Sequence, residues 1–199
     1  RMKLGIMGGT FDPIHLGHLH VARAALQEGG LHQVVFLPDG DPPHKTPLTP
    51  APLRLEMVRL GLLDEPCFMV SDMEIKRQGT TYTVDTLLAL KQEAPGRELV
   101  YLIGSDTLFL FPTWRTAEKV AGLCSMLVMM REGDQEELVR AEQTRLREKY
   151  GLQSRLLPIR GLPISSSQVR QACRQGQDLT SLVPPEVAGY IERQRLYAE

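Results

Sequence analysis

The sequence predicts a doubly wound α/β domain, in which helices cover both faces of a parallel sheet. Short apolar runs alternate with stretches of helical periodicity along the chain. The apolar runs are nearly continuous, which is typical of strands buried on both faces. With 199 residues, of which 42% are hydrophobic, the chain can form one compact domain with a sizeable core. We therefore expect a single domain over 1–199, with a helical part from about 165 to 199.

The first half of the chain supplies three of the predicted strands. Periodicity gives these elements in order: a strand over 3–7, a helix over 16–28, a strand over 34–37, a helix over 53–63 and a strand over 68–71. Gly29-Gly30 is a favourable end for the first helix, and Pro38 ends the second strand. Residues 39–52 are rich in proline and polar side chains, so we expect a long functional loop there.

The second half continues the alternation of helices and strands. Its predicted elements are a helix over 83–92, a strand over 99–103, a further helix, a strand over 126–130, a charged helix over 135–149, a short strand near 156, and helices over 166–175 and 185–193. This order predicts a Rossmann-like sheet. Ligands of such sheets bind beyond the carboxyl ends of the strands, which directs attention to the junctions at Gly8, Pro38, Gly104 and Ser165.

Composition and charge exclude several classes of protein. A formal net charge of −1 gives no overall positive field for a nucleic-acid backbone, so we expect no nucleic-acid partner. Cys67, Cys124 and Cys173 lie far apart and form no CxxC pair, which favours a reducing cytoplasm over a disulfide or zinc framework. No apolar run has membrane length. Arg1 precedes Met2, and we expect the native chain to start at Met2.

The junction after the first predicted strand carries the clearest chemical signal. It reads Gly8-Gly9-Thr10-Phe11-Asp12-Pro13-Ile14-His15-Leu16-Gly17-His18. Glycines allow backbone amides to approach a ligand, and the start of a helix favours phosphate. His15 and His18 lie on one face of the first turn and can both donate to phosphate oxygens, with Gly17 keeping that face open to a bulky group. A tight turn with two solvated or capping histidines is the alternative.

This segment resembles the GxFxPxHxGH signature of the HxGH nucleotidyltransferase superfamily, whose members transfer a nucleotidyl group from ATP or CTP. The resemblance implies that His15 and His18 contact the phosphates. It places around ATP and the acceptor the four residues Gly8, Gly9, Thr10 and Phe11.

A second signature of the same superfamily, ISSTxxR, is matched near the C-terminus. The segment reads Ile164-Ser165-Ser166-Ser167-Gln168-Val169-Arg170. Hydroxyls, helix-terminal amides and the Arg170 guanidinium can together bind a polyphosphate. The resemblance assigns Ser165 and Ser166 to ATP, and Ser167 keeps the hydroxyl of the usual residue. Serines at a helix start are otherwise simple N-caps.

Further segments resemble those of bacterial nicotinate-nucleotide adenylyltransferases, in the same order along nearly the whole chain. They are Pro42-Pro43-His44-Lys45, Arg54-Leu55-Glu56-Met57, Thr81-Tyr82-Thr83-Val84-Asp85-Thr86, Gly104-Ser105-Asp106 and Trp114. The resemblance implies transfer of AMP from ATP to nicotinate mononucleotide, giving nicotinate adenine dinucleotide (deamido-NAD) and pyrophosphate in NAD biosynthesis. It makes Lys45 a catalytic phosphate contact beside His15, His18 and Arg170, whereas a lysine alone is usually just solvated.

The resemblance also assigns residues to the acceptor. Trp114, the only tryptophan, would stack on the pyridine ring, although a single tryptophan is often core packing. Thr83 would help to hold the nicotinate carboxylate, a role that is compatible with a helix N-cap. Tyr82 and His44 belong to the same substrate group. Arg115 follows Trp114, and its side chain would add charge attraction for the carboxylate.

Three further residues are expected near ATP. The resemblance places Gly104 and Asp106 beside the ribose and adenine, and Asp106 has a plain helix N-cap as its alternative. Arg131 follows the strand over 126–130, where the family keeps a basic residue near ATP, although strand-end arginines are also commonly solvated.

Cofactor and partners follow from the same observations. We expect Mg²⁺ to arrive with ATP, because the sequence offers no dedicated carboxylate cage. ATP and nicotinate mononucleotide are the expected partners, with no membrane partner and a possible homo-oligomer. Three alternatives stay open: an adenylyltransferase for nicotinamide mononucleotide, one for phosphopantetheine, and a nucleotide sensor without turnover.

Overall fold

The computed structural model describes residues 1–40 and 49–199 and confirms the predicted fold class. The strands within these residues are β1 (Lys3–Gly9), β2 (Gln33–Pro38), β3 (Phe68–Val70), β4 (Glu98–Gly104), β5 (Ser125–Met130) and β6 (Ser154–Arg160). They form one all-parallel sheet of order β3-β2-β1-β4-β5-β6, with helices interleaved along the chain. The order reverses between β1 and β4, which is typical of a doubly wound, Rossmann-like sheet.

The helices follow the predicted order with two differences. They are α1 (Leu16–Glu28), α2 (Ala51–Gly61), α3 (Met73–Lys76), α4 (Thr83–Glu93), α5 (Ser105–Leu110), α6 (Ala117–Leu123), α7 (Glu136–Tyr150), α8 (Ser166–Arg174) and α9 (Pro185–Arg193). The sequence does not predict the short α3. Between β4 and β5 it predicts one helix, but the structure has α5, a 3-10 turn over Phe111–Thr113 and α6. Pro112 explains the break, because proline removes a helical hydrogen bond.

The chain divides into two compact units. Unit 1 contains Arg1–Met7, Val21–Val34 and Tyr82–Gly161, and unit 2 contains Gly8–His20, Val35–Thr81 and Leu162–Glu199. Neither unit is a continuous stretch of chain. A single domain over 1–199 stays a prediction, whereas its expected helical C-terminal part is present as α8 and α9.

Each unit has its own apolar interior. In unit 1, β4 and β5 pair in parallel with Ile103 opposite Val128, and both side chains are buried. In unit 2, Ile14, Met57 and Val187 are fully buried. None of the helices described here combines the length and apolar character needed to cross a membrane.

Candidate active site

The two histidines of the N-terminal signature lie at the start of α1, in unit 2. The main-chain N–H of His15 donates to Nδ1 of His18, and the N–H of Gly17 donates to Nδ1 of His15, both at 3.0 Å. The rings stack with their centroids 3.7 Å apart. Because each Nδ1 accepts a hydrogen bond, a neutral ring carries its proton on Nε2. The pair therefore offers two oriented Nε2–H donors.

The two rings differ in exposure. His15 is 6% exposed, whereas His18 is half-buried. Burial lowers the pKa of His15 from 6.5 to about 4, because desolvation disfavours the charged imidazolium. At neutral pH, His15 is therefore a hydrogen-bond donor without a positive charge.

Gly17 is required by the histidine beside it. A Cβ atom at this position would lie 2.8 Å from Cε1 and 2.9 Å from Nδ1 of His15. Such contacts are closer than real Cβ atoms show, so any side chain would displace the His15 ring. Glycine at this position thus allows the His15 ring to pack, while the room that it leaves for a bulky ligand stays a prediction.

The residues before the histidines form the end of β1 and a tight loop. Gly8 is exposed and Gly9 half-buried, and the Thr10 hydroxyl donates to Oδ2 of Asp39 at 3.2 Å. Phe11 has a φ of 52°, is 2% exposed, and packs edge-on against His18 with a centroid separation of 4.9 Å. A side chain buried this far can act on ATP only through its main chain or by supporting His18.

Arg54 on α2 holds this loop in place, a role that its sequence motif does not reveal. Its side chain is fully buried. It donates to the main-chain oxygens of Thr10 at 2.7 Å, Thr49 at 2.9 Å and Gly40 at 3.4 Å, and pairs with Asp39 at 3.3 Å. An arginine on the otherwise apolar, buried face of a helix is the sequence signal that could have identified it.

The serines of the second signature have separate roles at the start of α8. Ser165 is the N-cap: its hydroxyl accepts from the Gln168 N–H, and the Gln168 side chain accepts from the Ser165 N–H. The Ser166 hydroxyl donates to the main-chain oxygen of Pro13 at 2.8 Å. The N-cap alternative is therefore right for Ser165, while Ser166 links α8 to the histidine signature.

Arg170 reaches the same loop from one turn further along α8. Its Nη1 donates to the main-chain oxygen of Asp12 at 2.8 Å, and its Nη2 donates to the Ser167 hydroxyl at 3.1 Å. Its Nε is buried and has no hydrogen-bond partner among the described residues. A buried donor of this kind favours a ligand that accepts from it. Within unit 2 the structure thus brings together His15, His18 and Arg170 around one loop.

Asp12 is a second residue whose role is not predicted from the sequence. It is 2% exposed, and its Oδ2 accepts from the Thr49 N–H at 3.1 Å. Its Oδ1 accepts from the hydroxyl of Tyr197. Its place inside the signature was a signal, but the partners of its carboxylate could not be read from the sequence.

Four residues predicted for the acceptor, Tyr82, Thr83, Trp114 and Arg115, lie in unit 1. The Arg115 guanidinium carbon lies 4.6 Å from the ring centroid of Tyr82, and the half-buried Trp114 packs against Phe111 with a centroid separation of 5.4 Å. Thr83 is the first residue of α4 and makes no side-chain cap; the N-cap is Tyr82. Trp114 thus combines core contact with exposed ring surface.

Gly104, Asp106 and Arg131, which are also predicted for ATP, lie in unit 1. Nε of Arg131 donates to Oδ1 of Asp106 at 2.9 Å, and both side chains are about three-fifths exposed. A Cβ at Gly104 would lie 2.6 Å from Nη2 of Arg131, so the ion pair covers the glycine. Asp106 is inside the first turn of α5, whose N-cap is Gly104, so the N-cap alternative for Asp106 is wrong.

Asp134 accepts two hydrogen bonds next to the Asp106–Arg131 ion pair. Its Oδ2 accepts from the Ser105 hydroxyl and from the Arg131 N–H, the latter at 2.6 Å. These hydrogen bonds, first that of Ser105, lower the pKa of the Asp134 carboxyl.

Two predicted site residues, His44 and Lys45, lie outside the described residues, as do Pro42 and Pro43. Within the described ranges, no group of three or more His, Cys, Asp or Glu side chains could hold a metal ion.

The chain is similar to a family of nucleotide-transferring enzymes. The model of the cytidylyltransferase-like family matches residues 6–172. A probable nicotinate-nucleotide adenylyltransferase of Symbiobacterium thermophilum is 40% identical, over 98% of this chain and 95% of the relative. One of Dehalococcoides mccartyi is 43% identical, over 98% of this chain and 97% of the relative.

Among solved structures, the fold matches a nicotinic acid mononucleotide adenylyltransferase of Plasmodium falciparum complexed with NaAD. The TM-score is 0.79 and the identity 21%, over 99% of this chain and 98% of that one. The same Plasmodium protein complexed with APC matches with a TM-score of 0.78.

Proposed function

Because the chain belongs to the cytidylyltransferase-like family, we propose that it is a nicotinate-nucleotide adenylyltransferase of NAD biosynthesis. Relatives that match it over nearly their full length at about 40% identity carry that name. The observation that carries the proposal is the stacked pair of His15 and His18 with Arg170 bound to the same loop.

The reaction is a displacement at phosphorus. An oxygen of the 5′-phosphate of nicotinate mononucleotide attacks the α-phosphorus of ATP and forms the new P–O bond. The bond from the α-phosphorus to the α–β bridging oxygen breaks, and its electron pair leaves with pyrophosphate. Because no covalent intermediate with the protein is needed, catalysis consists of positioning and charge stabilisation.

We assign the phosphates of ATP to the two signature segments and Lys45. Nε2–H of His18, supported by neutral His15, donates to the α-phosphate, where negative charge increases in the transition state. Arg170 supplies the positive charge for the leaving pyrophosphate, and Lys45 is assigned to the same groups. Since the Ser166 hydroxyl already donates to Pro13, the contribution of Ser166 is its main-chain N–H in the first turn of α8.

We propose that ATP enters as its magnesium complex. The assigned groups around the phosphates are hydrogen-bond donors and a guanidinium, which complement phosphate oxygens and not a cation. This donor set fits Mg²⁺ that is bound through phosphate oxygens and water, the arrangement that Mg²⁺ commonly adopts with nucleotides. The ion supplies neutralisation of the polyphosphate charge.

A second group of residues is assigned to the adenosine and the pyridine ring. Gly104, Asp106 and Arg131 are proposed beside the ribose and adenine. Trp114 is proposed to stack on the pyridine ring. The first-turn amides of α4 at Thr83 and the Arg115 main-chain N–H are proposed to hold the nicotinate carboxylate, with the Arg115 side chain adding positive charge.

We propose that the enzyme works in the cytoplasm. Cys67, Cys124 and Cys173 are all free, which agrees with a reducing compartment. Assembly into a homo-oligomer stays a prediction.

The test is pyrophosphate release by the purified protein with ATP and Mg²⁺. Nicotinate mononucleotide, nicotinamide mononucleotide and phosphopantetheine are compared as acceptors. We expect strong preference for nicotinate mononucleotide and a fall in kcat of about 10²–10³-fold in His18→Ala, because one transition-state donor is lost. His20→Ala is the matched control, since residues two apart on a helix face different directions.

Each other outcome selects one of the alternatives. Turnover with nicotinamide mononucleotide or phosphopantetheine would move the assignment to that acceptor and overturn the roles of Thr83 and Trp114. Binding of ATP without turnover of any acceptor would favour the nucleotide sensor.

A further inference from the structure

Tyr197, close to the C-terminus, reaches the histidine signature across 185 positions of sequence. Its hydroxyl donates to Oδ1 of Asp12. The Asp12 side chain has almost no contact with solvent, being 2% exposed. A tyrosine near the end of a chain is usually solvent-exposed, so a buried contact with a catalytic loop requires an explanation.

Asp12 is held by three separate segments of unit 2. One carboxylate oxygen accepts from the Tyr197 hydroxyl, and the other accepts from the Thr49 N–H at 3.1 Å. Its main-chain oxygen accepts from Nη1 of Arg170 at 2.8 Å. With both carboxylate oxygens fixed, the peptide unit of Asp12 keeps one orientation, and its carbonyl fixes the direction of the guanidinium.

We propose that Tyr197 is a positioning residue for ATP: it fixes Asp12 and, through the Asp12 carbonyl, orients Arg170 toward the phosphates. The inference rests on the proposed function, since it assumes that Arg170 binds the polyphosphate of ATP. Tyr197 itself does not touch the substrate.

The backbone around Tyr197 is built to hold this contact. The Leu196 N–H donates to the main-chain oxygen of Ile191 at 3.0 Å, and the Cys173 thiol contacts the Leu196 oxygen at 3.3 Å. Cys173 and Arg170 are three residues apart on α8, so one helix face meets both the C-terminal segment and the site. Burial, followed by the hydrogen bond to Asp12, raises the pKa of Tyr197, so the phenol remains a donor throughout the neutral range.

Steady-state kinetics of Tyr197→Phe test the proposal. We expect kcat/KM for ATP to fall about tenfold, while KM for nicotinate mononucleotide stays within about twofold, because only the phosphate contact is misdirected. Tyr190→Phe is the matched control, since it removes a hydroxyl from α9 in the same C-terminal part, and it should behave as the wild type. In an Arg170→Lys background, Tyr197→Phe should cost less than about twofold, because the oriented guanidinium is already absent.

Three results would overturn the proposal: wild-type kinetics in Tyr197→Phe, the same tenfold loss in the Arg170→Lys background, or a tenfold rise in KM for nicotinate mononucleotide. If circular dichroism shows that Tyr197→Phe does not fold, Asp12→Asn replaces it. A tenfold rise in KM for nicotinate mononucleotide in Asp12→Asn would also count against the proposal. Binding of ATP alone is measured by calorimetry in all variants. If the wild type shows no turnover, the proposed function fails, while unchanged ATP affinity in Tyr197→Phe would separately refute the positioning role.

Discussion

Replacing Arg54 by methionine should strongly destabilise the protein, because Arg54 is a buried cation that joins several segments of unit 2. Its side chain is 1% exposed, and its strongest hydrogen bonds are to the oxygens of Thr10 and Thr49, at 2.7 and 2.9 Å. A hydrogen bond from a charged donor contributes about 1.5–3 kcal/mol. The ion pair with Asp39 adds less, since that carboxylate is 19% exposed and water can replace the lost partner.

These contacts give an expected loss of about 3–4 kcal/mol in the free energy of unfolding for Arg54→Met, within the range for breaking a buried pair. Arg54→Lys should lose about half as much, because an ammonium keeps the charge but cannot reach both carbonyls as the planar guanidinium does. The measurement is urea unfolding followed by far-ultraviolet circular dichroism, with the slope checked for a change in the denatured state.

Arg59→Met is the control on the same helix. Arg59 is 52% exposed and lies 3.7 Å from Glu56, a surface pair that contributes less than about 1 kcal/mol. A loss of under about 1 kcal/mol in Arg54→Met, or an equal loss in Arg59→Met, would refute the reasoning that the buried guanidinium network holds this loop.

Three further predictions concern single residues. Gly17→Ala should lower kcat at least about tenfold and cost about 1–3 kcal/mol of stability, because its Cβ collides with the His15 ring; normal pyrophosphate release would contradict it. Between pH 6.5 and about 4, the His15 side chain binds a proton in the unfolded chain but not in the folded protein, so its contribution to the free energy of unfolding is present above pH 6.5 and is lost toward pH 4. In the wild type, the free energy of unfolding should therefore fall between pH 7 and pH 4.5, and in His15→Asn this fall should be smaller by up to about 3 kcal/mol. The same pH dependence in both proteins would refute this. Arg115→Ala should raise KM for nicotinate mononucleotide about fivefold but not KM for nicotinamide mononucleotide, because only the former carries a carboxylate that the exposed guanidinium attracts. Equal changes in the two KM values would contradict this.

Local signals in the sequence predict most of the fold. α1 begins at Leu16 and ends at Glu28, as its periodicity and Gly29-Gly30 indicate. α2 begins at Ala51, two residues before its predicted start, because Pro52 is compatible with a first helical turn and does not have to precede the helix. The four-residue α3 has too few residues for a periodic pattern, so no sequence signal could identify it.

The site divides in the same way into local and distant contacts. His15 and His18 are found from their spacing, because the first turn of one helix fixes both. Arg54 and Tyr197 are not, because their partners lie 44 and 185 positions away and no periodicity relates them. The residues proposed to act on the substrate are found from short motifs, while the contacts that hold them in place depend on the tertiary fold.

The contacts of unit 2 have a consequence for protein synthesis. The signature with Asp12 and both histidines leaves the ribosome early, whereas its partners Ser166, Arg170 and Tyr197 follow 153, 158 and 185 positions later. Chains grow from the N-terminus at about 5–20 residues per second, so the nascent histidine loop waits roughly 8–37 seconds for these partners. A polypeptide that stalls before Tyr197 lacks the hydroxyl that holds Asp12, so full activity is reached only after Tyr197 has been translated.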